Sequence, residues 1–172
     1  MLHGFFLRMY NERQKEHRRI TIMKLAEALQ ARADLNTRIA QLRARLNNNA
    51  LVQEGESTAE DPNALLKQLN DCIRELQDLI ARINLTNSTV KTEGKTLTEW
   101  IAARDALTLK LSVCRDLVNT ASSGAYRARG TEIRIKPAVS VKDLQDEVDA
   151  MAKELRLTDN RIQAANWAND LM

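Results

Sequence analysis

Apolar side chains recur at alternating intervals of three and four residues along four stretches of the chain. The first seam consists of Leu25, Ala28, Leu35, Ile39, Leu42 and Leu46, and the second of Leu66, Leu69, Ile73, Leu76, Ile80 and Ile83. The third consists of Leu97, Trp100, Leu107, Leu111, Cys114 and Val118, and the fourth of Val141, Leu144, Val148, Met151, Leu155, Ile162 and Ala165. This heptad spacing is typical of helices that pack side by side. It predicts four long helices.

Capping and turn residues set the ends of these predicted helices. The first is predicted from about residue 23 to 49, and the polar segment from Asn84 to Lys95 is predicted to connect the second and third. Cap signals precede the second, third and fourth helices at Asp61 with Pro62, at Thr96 with Glu99 and at Ser140 with Asp143. Each helix is then roughly 23 to 27 residues, or about 35 to 40 Å, long.

The predicted fold class is all-α, with four long helices arranged as two antiparallel coiled-coil-like hairpins in a bundle. One short β-strand is predicted near residues 131–136, because polar and apolar residues alternate there. A lone strand needs a partner. The candidates are Leu51–Glu54, or the same strand of a second copy of the chain.

The second helix has more apolar residues than one seam requires. Leu65, Cys72 and Leu79 repeat every seven residues beside the seam. The resulting stripe is wider than that of a two-stranded coiled coil, which favours contact with more than one neighbouring helix.

Residues 1–22 differ from the rest and are predicted to be an extension of a helical-hairpin domain that covers residues 23–172. This segment holds half of the six aromatic residues, and its five basic and two acidic residues account for the net charge of +3. One hypothesis is that Met23 is the natural start and that the preceding codons are translated leader. The alternative is a basic amphipathic anchor for a membrane or a partner.

Composition and charge argue against several classes of protein. Apolar residues make up 44% of the chain and aromatic residues only 3%, which is typical of long packed helices. Outside residues 1–22 the charges cancel, so no basic patch for nucleic acid is expected. No run reaches the roughly 20 apolar residues of a membrane span. We therefore expect a soluble cytoplasmic protein with reduced thiols at Cys72 and Cys114, for which membrane binding is not expected.

Two arginines interrupt the apolar seams. Arg32 and Arg104 occupy positions where Leu or Ile is expected, at similar predicted heights in the bundle. Glu75 or Asp78 of the second helix and Thr158 or Asp159 of the fourth would lie near them. A buried guanidinium needs such partners. The predicted polar layer either fixes the register of the helices or binds an anion.

The loops that follow the first and third helices are expected at one end of the bundle. Asn48, Asn49, Gln53, Glu54 and Arg134 form a candidate loop-end surface there. Asn is a poor residue in helix interiors and a good one at helix ends. The Asn run is therefore interpreted as a helix terminus rather than a ligand platform.

The sequence lacks the residue patterns of known catalytic and metal sites. Both histidines, His3 and His17, lie in the N-terminal segment, away from the predicted helices. Phosphate-binding loops and nucleophile elbows are also absent from the sequence. These observations predict a protein that is not an enzyme and has no cofactor or metal.

The stretch MKLAEALQARADLNTRIAQLRARLNNNALVQEGE, from Met23 to Glu56, resembles a family of small bacterial helical proteins of unknown function. The Glu60, Asp61, Pro62 turn and the segment from Glu132 to Lys136 add to the resemblance, which covers residues 23–172. Some members are labelled septicolysin, and that label implies membrane-lytic activity. The resemblance implies no catalytic residues, and the sequence lacks a long amphipathic sheet-forming segment that could form a pore.

Together these patterns predict a non-enzymatic helical protein that associates with itself and acts as a scaffold or binding protein. The wide stripe on the second helix and the unpaired strand motivate the homo-oligomer. The alternative is the membrane-active protein that the septicolysin label implies.

Overall fold

The computed structural model describes residues 23–123 and 136–172. The prediction of an all-α fold with four long helices is confirmed. Within the described residues the helices are α1 (Leu25–Asn48), α2 (Pro62–Thr89), α3 (Leu97–Ser122) and α4 (Val141–Ala168).

The predicted helix starts agree with the capping bonds in the structure. Pro62 is the first residue of α2, and the Asp61 carboxylate accepts a hydrogen bond from the backbone of Asn63 at 2.9 Å. Before α3, the Thr96 hydroxyl accepts from the Glu99 backbone N–H and the Glu99 carboxylate accepts from the Thr96 backbone N–H. These bonds satisfy N–H groups that have no partner within their helix.

The predicted connection between the second and third helices was wrong in two respects. First, α2 continues to Thr89 instead of ending near Asn84. Its buried face extends through Ile83 and Thr86, and the Thr86 hydroxyl donates to the Arg82 carbonyl oxygen at 2.8 Å. Asn84, Ser88 and Thr89 of this segment therefore lie on the outside of a helix whose inner face, with Thr86, is still buried.

Second, a small β-hairpin joins α2 to α3. The antiparallel strands β1 (Lys91–Thr92) and β2 (Lys95–Thr96) are connected by Glu93 and Gly94. Both connecting residues have positive φ, +51° and +82°, as a two-residue type I′ turn requires. The strand predicted near 131–136 lies outside the described residues apart from Lys136, which is not in a strand, and Leu51–Glu54 is not a strand either.

The chain divides into two compact units, and the division falls within α2 and α4. Among the described residues, unit 1 comprises those up to Thr86 together with Asn166–Met172, and unit 2 comprises those between Asn87 and Ala165. In unit 1 both α1 and α2 contribute buried side chains to the core. They are Leu25, Ala28, Leu35 and Leu42 of α1, and Leu65, Cys72, Leu79 and Ile83 of α2. Their spacing follows the heptad pattern of the sequence.

Contacts at both ends show that α1 and α2 are antiparallel. At the end of α1, Arg45 pairs with Glu60, just before α2 begins. At the other end, the C-terminal residues connect the start of α1 to the end of α2. Leu171 N donates to Met23 O at 2.8 Å, and Met172 N donates to the Thr86 hydroxyl at 3.0 Å.

Unit 2 is a second antiparallel pair, formed by α3 and α4. Leu111 of α3 packs with Val148 and Met151 of α4, and Leu107, Cys114, Val118, Ala152 and Leu155 surround them. The indole N–H of Trp100 donates to the Thr92 carbonyl oxygen at 2.8 Å, so the hairpin lies on the start of α3. Arg161, near the end of α4, lies 5.3 Å from the centre of the same ring.

Candidate interaction surface

The apolar side chains of α2 form three rows that differ in burial. The row of Leu65, Cys72 and Leu79 is buried, and Leu69 and Leu76 are half-buried. The third row, Leu66, Ile73 and Ile80, is exposed, with 45% of Ile73 accessible. Within unit 1, α1 covers one side of the apolar stripe. The wide stripe predicted from the sequence is therefore present, but its rows are exchanged: the row predicted beside the seam is buried, and three residues of the predicted seam are exposed.

The exposed row is flanked by neutral amides. Successive helical residues are about 100° apart, so the residues within about 60° of Ile73 can be identified from the sequence. Leu69 and Leu76 fall within this arc and are half-buried. The exposed residues of the arc in the middle of the helix are Leu66, Asn70, Ile73, Gln77, Ile80 and Asn84, which we call the α2 face. All six are exposed and none is charged. Arg74 is the nearest charged residue beyond this arc, and it pairs with Asp71 of the same helix.

Unit 2 has an uncovered apolar face of its own on α3. Ala102, Ala106, Leu109, Val113 and Leu117, which we call the α3 face, lie on the side of the helix opposite the buried Leu111. Leu109 is 68% exposed and Val113 is 59% exposed. A helix that is apolar on both sides is usually buried between neighbours.

The first helix provides a contrast. Although α1 is described along its full length, it has no exposed large apolar side chain. Its outward positions are occupied by Arg, Asp, Asn, Gln, Thr and Ala. Among the described helices, α2 and α3 have the most exposed large apolar side chains, α4 has Leu157 and Trp167, and α1 has none. Contiguous patches of that kind mark interaction sites more often than scattered single residues do.

The residues of the predicted polar layer belong to different units. Arg32, Glu75 and Asp78 belong to unit 1 and all three are exposed, whereas Arg104 and Asp159 belong to unit 2 and are half-buried. The expected burial of Arg32 was wrong, since in a hairpin of two helices solvent still reaches the edge of the seam. Anion binding by these residues stays a prediction.

Arg104 has a local partner in the structure. Its guanidinium pairs with the carboxylate of the adjacent Asp105, with 2.7 Å between Nη2 and Oδ1. The sequence argument placed its partner on another helix instead. Adjacent residues point to different sides of a helix, so this contact depends on the long arginine side chain bending back along the surface.

Of the predicted loop-end residues, Asn49 has a structural role. It is 7% exposed, its side-chain amide donates to the Arg45 carbonyl oxygen at 2.9 Å, and its side-chain oxygen accepts from Glu60 N at 3.0 Å. The interpretation of the Asn run as a helix terminus is therefore confirmed. Asn48, Gln53 and Glu54 are exposed, and Arg134 lies outside the described residues.

One ion pair and one capping contact lower the pKa values of two glutamates, Glu60 and Glu99. The hydrogen bond and charge of Arg45 lower the pKa of Glu60. The backbone N–H and hydroxyl of Thr96, with a smaller effect from Lys91 and Lys95, lower the pKa of Glu99. Both groups stabilise the connections between helices. Across the described parts of the chain, the His, Cys, Asp and Glu side chains do not cluster in a way that could hold a metal ion.

Comparison with known proteins identifies the family. The model of DUF6847, a family of unknown function, matches residues 32–171. The chain belongs to the DUF6847 family. A crystal structure of a functionally unknown conserved protein from Corynebacterium diphtheriae is also similar to it, with 36% sequence identity and a TM-score of 0.78. That match covers 87% of this chain and 99% of the other. No protein of curated function matches this DUF6847 chain.

These matches confirm that the family is an uncharacterised one, and neither carries the septicolysin label. Both the α2 face and the α3 face lie within the matched region of the DUF6847 chain. None of the described helices has an apolar stretch long enough for a bilayer crossing. The α3 face was missed by the sequence argument, although Leu109, Val113 and Leu117 recur every four residues outside the seam.

Proposed function

We propose that this chain is a non-enzymatic cytoplasmic scaffold that associates with itself through its uncovered helix faces. The observation that carries the proposal is the exposure of Leu66, Ile73 and Ile80 on a helix whose other apolar rows are already packed. A two-helix hairpin has no further helix to cover such a row. A second copy provides one, and four helices then surround a common core.

The energetic argument favours covering this row. Full burial of a Leu or Ile side chain contributes about 1.5 to 3 kcal/mol. Since each of the three side chains is somewhat less than half exposed, each would contribute on the order of 1 kcal/mol when covered. The α3 face adds to this, because Leu109 and Val113 are more exposed than the α2 residues. Two such faces could support more than one contact between copies.

Two further features support the rest of the proposal. Cys72 and Cys114 are free thiols, as is usual in a reducing compartment. Both histidines lie in residues 1–22, away from the four helices of the predicted domain, so the sequence offers no histidine base there. A scaffold needs neither a cofactor nor a metal.

Sedimentation velocity at micromolar concentration tests self-association. We expect the wild-type chain to sediment as a dimer or larger species and Ile73→Glu to sediment as a smaller one. Ala64→Glu is the matched control, because Ala64 is exposed on the same helix about 180° away from Ile73. On α3, Val113→Glu and the exposed Ser112→Glu form the equivalent pair. A wild-type chain that is monomeric throughout would refute the proposal.

The septicolysin-like alternative invokes the same apolar side chains for membrane binding. It is tested by release of a trapped dye from liposomes of neutral and anionic lipid. Self-association predicts no release by the wild-type chain. Release that is lost in Ile73→Glu or Val113→Glu, together with a monomeric wild-type chain, would support the membrane-active function instead.

A further inference from the structure

We infer that residues 169–172, which we call the strap, detach from unit 1, and that the site they occupy binds an extended peptide in which leucine follows aspartate. The strap follows the last residue of α4. Its partners are residues 23–25 at the start of α1, together with Arg82 and Thr86 on α2. All of these residues belong to unit 1, and the inference is independent of self-association.

The strap pairs with the start of α1 through backbone atoms. Leu25 N donates to Asn169 O at 3.0 Å, and Leu171 N donates to Met23 O at 2.8 Å. The Leu25 N–H is one of the first N–H groups of α1, which have no partner within the helix. Main-chain bonds of this kind hold an extended peptide whatever its side chains are. The start of α1 therefore offers one donor and one acceptor to an extended segment.

The side chains of the strap alternate in exposure, as they do along a strand. Leu171 is only 7% exposed, whereas Met172 is 49% exposed. Asp170 lies opposite Lys24 in an antiparallel bridge, and its carboxylate accepts a hydrogen bond from the Lys24 ammonium group at 2.6 Å. The site therefore selects an acidic residue followed by an aliphatic one, and it tolerates different side chains at the next position.

The end of α2 holds the backbone of the third position. Thr86 is fully buried, and its hydroxyl accepts a hydrogen bond from Met172 N at 3.0 Å while it donates to Arg82 O. Arg82 Nε donates to Met172 O at 2.8 Å. A buried hydroxyl group needs hydrogen-bond partners. The polar residue on the inner face of α2 thus serves as an acceptor for the backbone of an extended segment.

Little of the strap is buried, so it can leave the site while the rest of unit 1 stays folded. All four strap residues are described, and among them only Leu171 is buried. The side chains of Lys24 and Asp170 are 39% and 52% exposed, and an ion pair open to solvent adds little stability. Segments with few buried contacts open at a lower free energy than the core of the same fold.

Native-state hydrogen exchange followed by NMR tests the opening in the wild-type chain. The amides of Leu25, Leu171 and Met172 donate in the bonds between strap and site. We expect their protection factors to be at least about tenfold lower than those of Leu35 and Leu42, and to change little in dilute urea, because a local opening exposes little surface. Equal protection and equal urea dependence of all five amides would overturn the inference. A Leu171 amide without any protection would do the same.

Binding of a separate peptide tests the site. The variant is the full chain with Leu171→Glu, in which a carboxylate replaces the buried side chain and keeps the strap out of the site. The probe is a synthetic peptide with the sequence of residues 168–172, Ala-Asn-Asp-Leu-Met. At millimolar concentration it should return the amide signals of Leu25 and Thr86 to their wild-type positions. A peptide with glutamate in place of leucine should not. The wild-type chain should bind far less, because its own strap competes at a high effective concentration.

The matched control is Met172→Glu, which changes an exposed side chain and should leave the strap in place. If Leu171→Glu loses helicity in circular dichroism, Asp170→Lys replaces it, because that change reverses only an exposed ion pair. Loss of protection at the Met172 amide shows that the strap has left its site. A strap that stays protected in both variants overturns the inference. So does a released site that binds neither peptide, or that binds both equally.

Discussion

The side-chain amide of Asn49 connects the end of α1 to the start of the next segment. It donates to the Arg45 carbonyl oxygen, which also accepts the helical bond from Asn49 N, and its side-chain oxygen accepts from the Glu60 N–H, which no helix or strand satisfies. Glu60 in turn pairs with Arg45. The sequence indicates that an Asn run ends a helix, but three consecutive Asn residues look alike in the sequence. Only the path of the loop after residue 49 decides which of them is buried.

We expect Asn49→Ala to lower the free energy of unfolding by about 1 to 2 kcal/mol. The reason is that the partly buried Glu60 N–H would lose its hydrogen-bond partner and the Arg45 carbonyl oxygen would lose one of its two. Asn48→Ala is the matched control, because Asn48 is exposed, and its effect should stay within about 0.5 kcal/mol. Urea unfolding followed by circular dichroism measures both. Equal effects of the two substitutions would mean that the bonds of Asn49 do not contribute to stability.

At the scale of helices and strands, the starts of elements were easier to predict than their ends. The start of α2 has Asp61 and Pro62, and the start of α3 has the reciprocal bonds of Thr96 and Glu99, all of which are local and visible in the sequence. The end of α2 has no comparable signal. Its last turns depend on tertiary burial of Thr86, which a polar sequence does not reveal.

The capping box at the start of α3 should make stability depend on pH. The Thr96 N–H and hydroxyl lower the pKa of Glu99 in the folded chain, so the ionised carboxylate favours folding. This contribution is present above the unfolded pKa of about 4.3 and is lost as the pH falls through the lower folded value. We therefore expect wild type to exceed Glu99→Gln in stability at neutral pH, and this advantage to shrink as the pH falls below about 4.3.

The measurement is the urea midpoint of both chains at several pH values. Gln can still accept the bond from the Thr96 backbone, so the comparison isolates the effect of the charge. Thr96→Ala serves as the control for the cap itself, and it should cost about 1 kcal/mol because it removes the acceptor for the Glu99 N–H. Because it also removes the hydroxyl that bonds the Glu99 carboxylate, this cost should be somewhat smaller below about pH 4.3. A difference between wild type and Glu99→Gln that is the same at acidic and neutral pH would contradict the role of the charge.

For the whole molecule, the sequence predicted which residues are apolar and helical but not what covers them. Heptad spacing placed Leu35, Leu111 and Val148 correctly in buried positions. It also placed Ile73 in a seam, yet Ile73 is 45% exposed. Spacing identifies the apolar side of a helix, whereas exposure depends on how many neighbours that side has. The candidate surface therefore could be identified only from the assembled hairpins.

Arg32 is a polar residue at a seam position, and its burial was also predicted wrongly from spacing alone. A seam position was taken to be buried, and a buried guanidinium would need partners from neighbouring helices. In the structure Arg32 is exposed, since a pair of helices leaves the edges of its seam open to water. The number of helices around a seam, rather than the seam itself, decides whether such a position is part of a core.

Self-association also makes a prediction about the stability of the whole molecule. A chain that is folded as a dimer and unfolded as a monomer gains stability with concentration, by mass action. A tenfold increase in concentration changes the free energy of the dimer by about 1.4 kcal/mol, shared between two chains. For a chain of this length we therefore expect the unfolding temperature of the wild type to rise by about 2 °C for each tenfold increase in protein concentration.

The unfolding temperature of Ile73→Glu should show no such rise, whereas that of Ala64→Glu should rise as in the wild type. Differential scanning calorimetry over two decades of concentration measures the slope. If the unfolding temperature of the wild type did not change with concentration, the stability of the fold would not depend on a second copy.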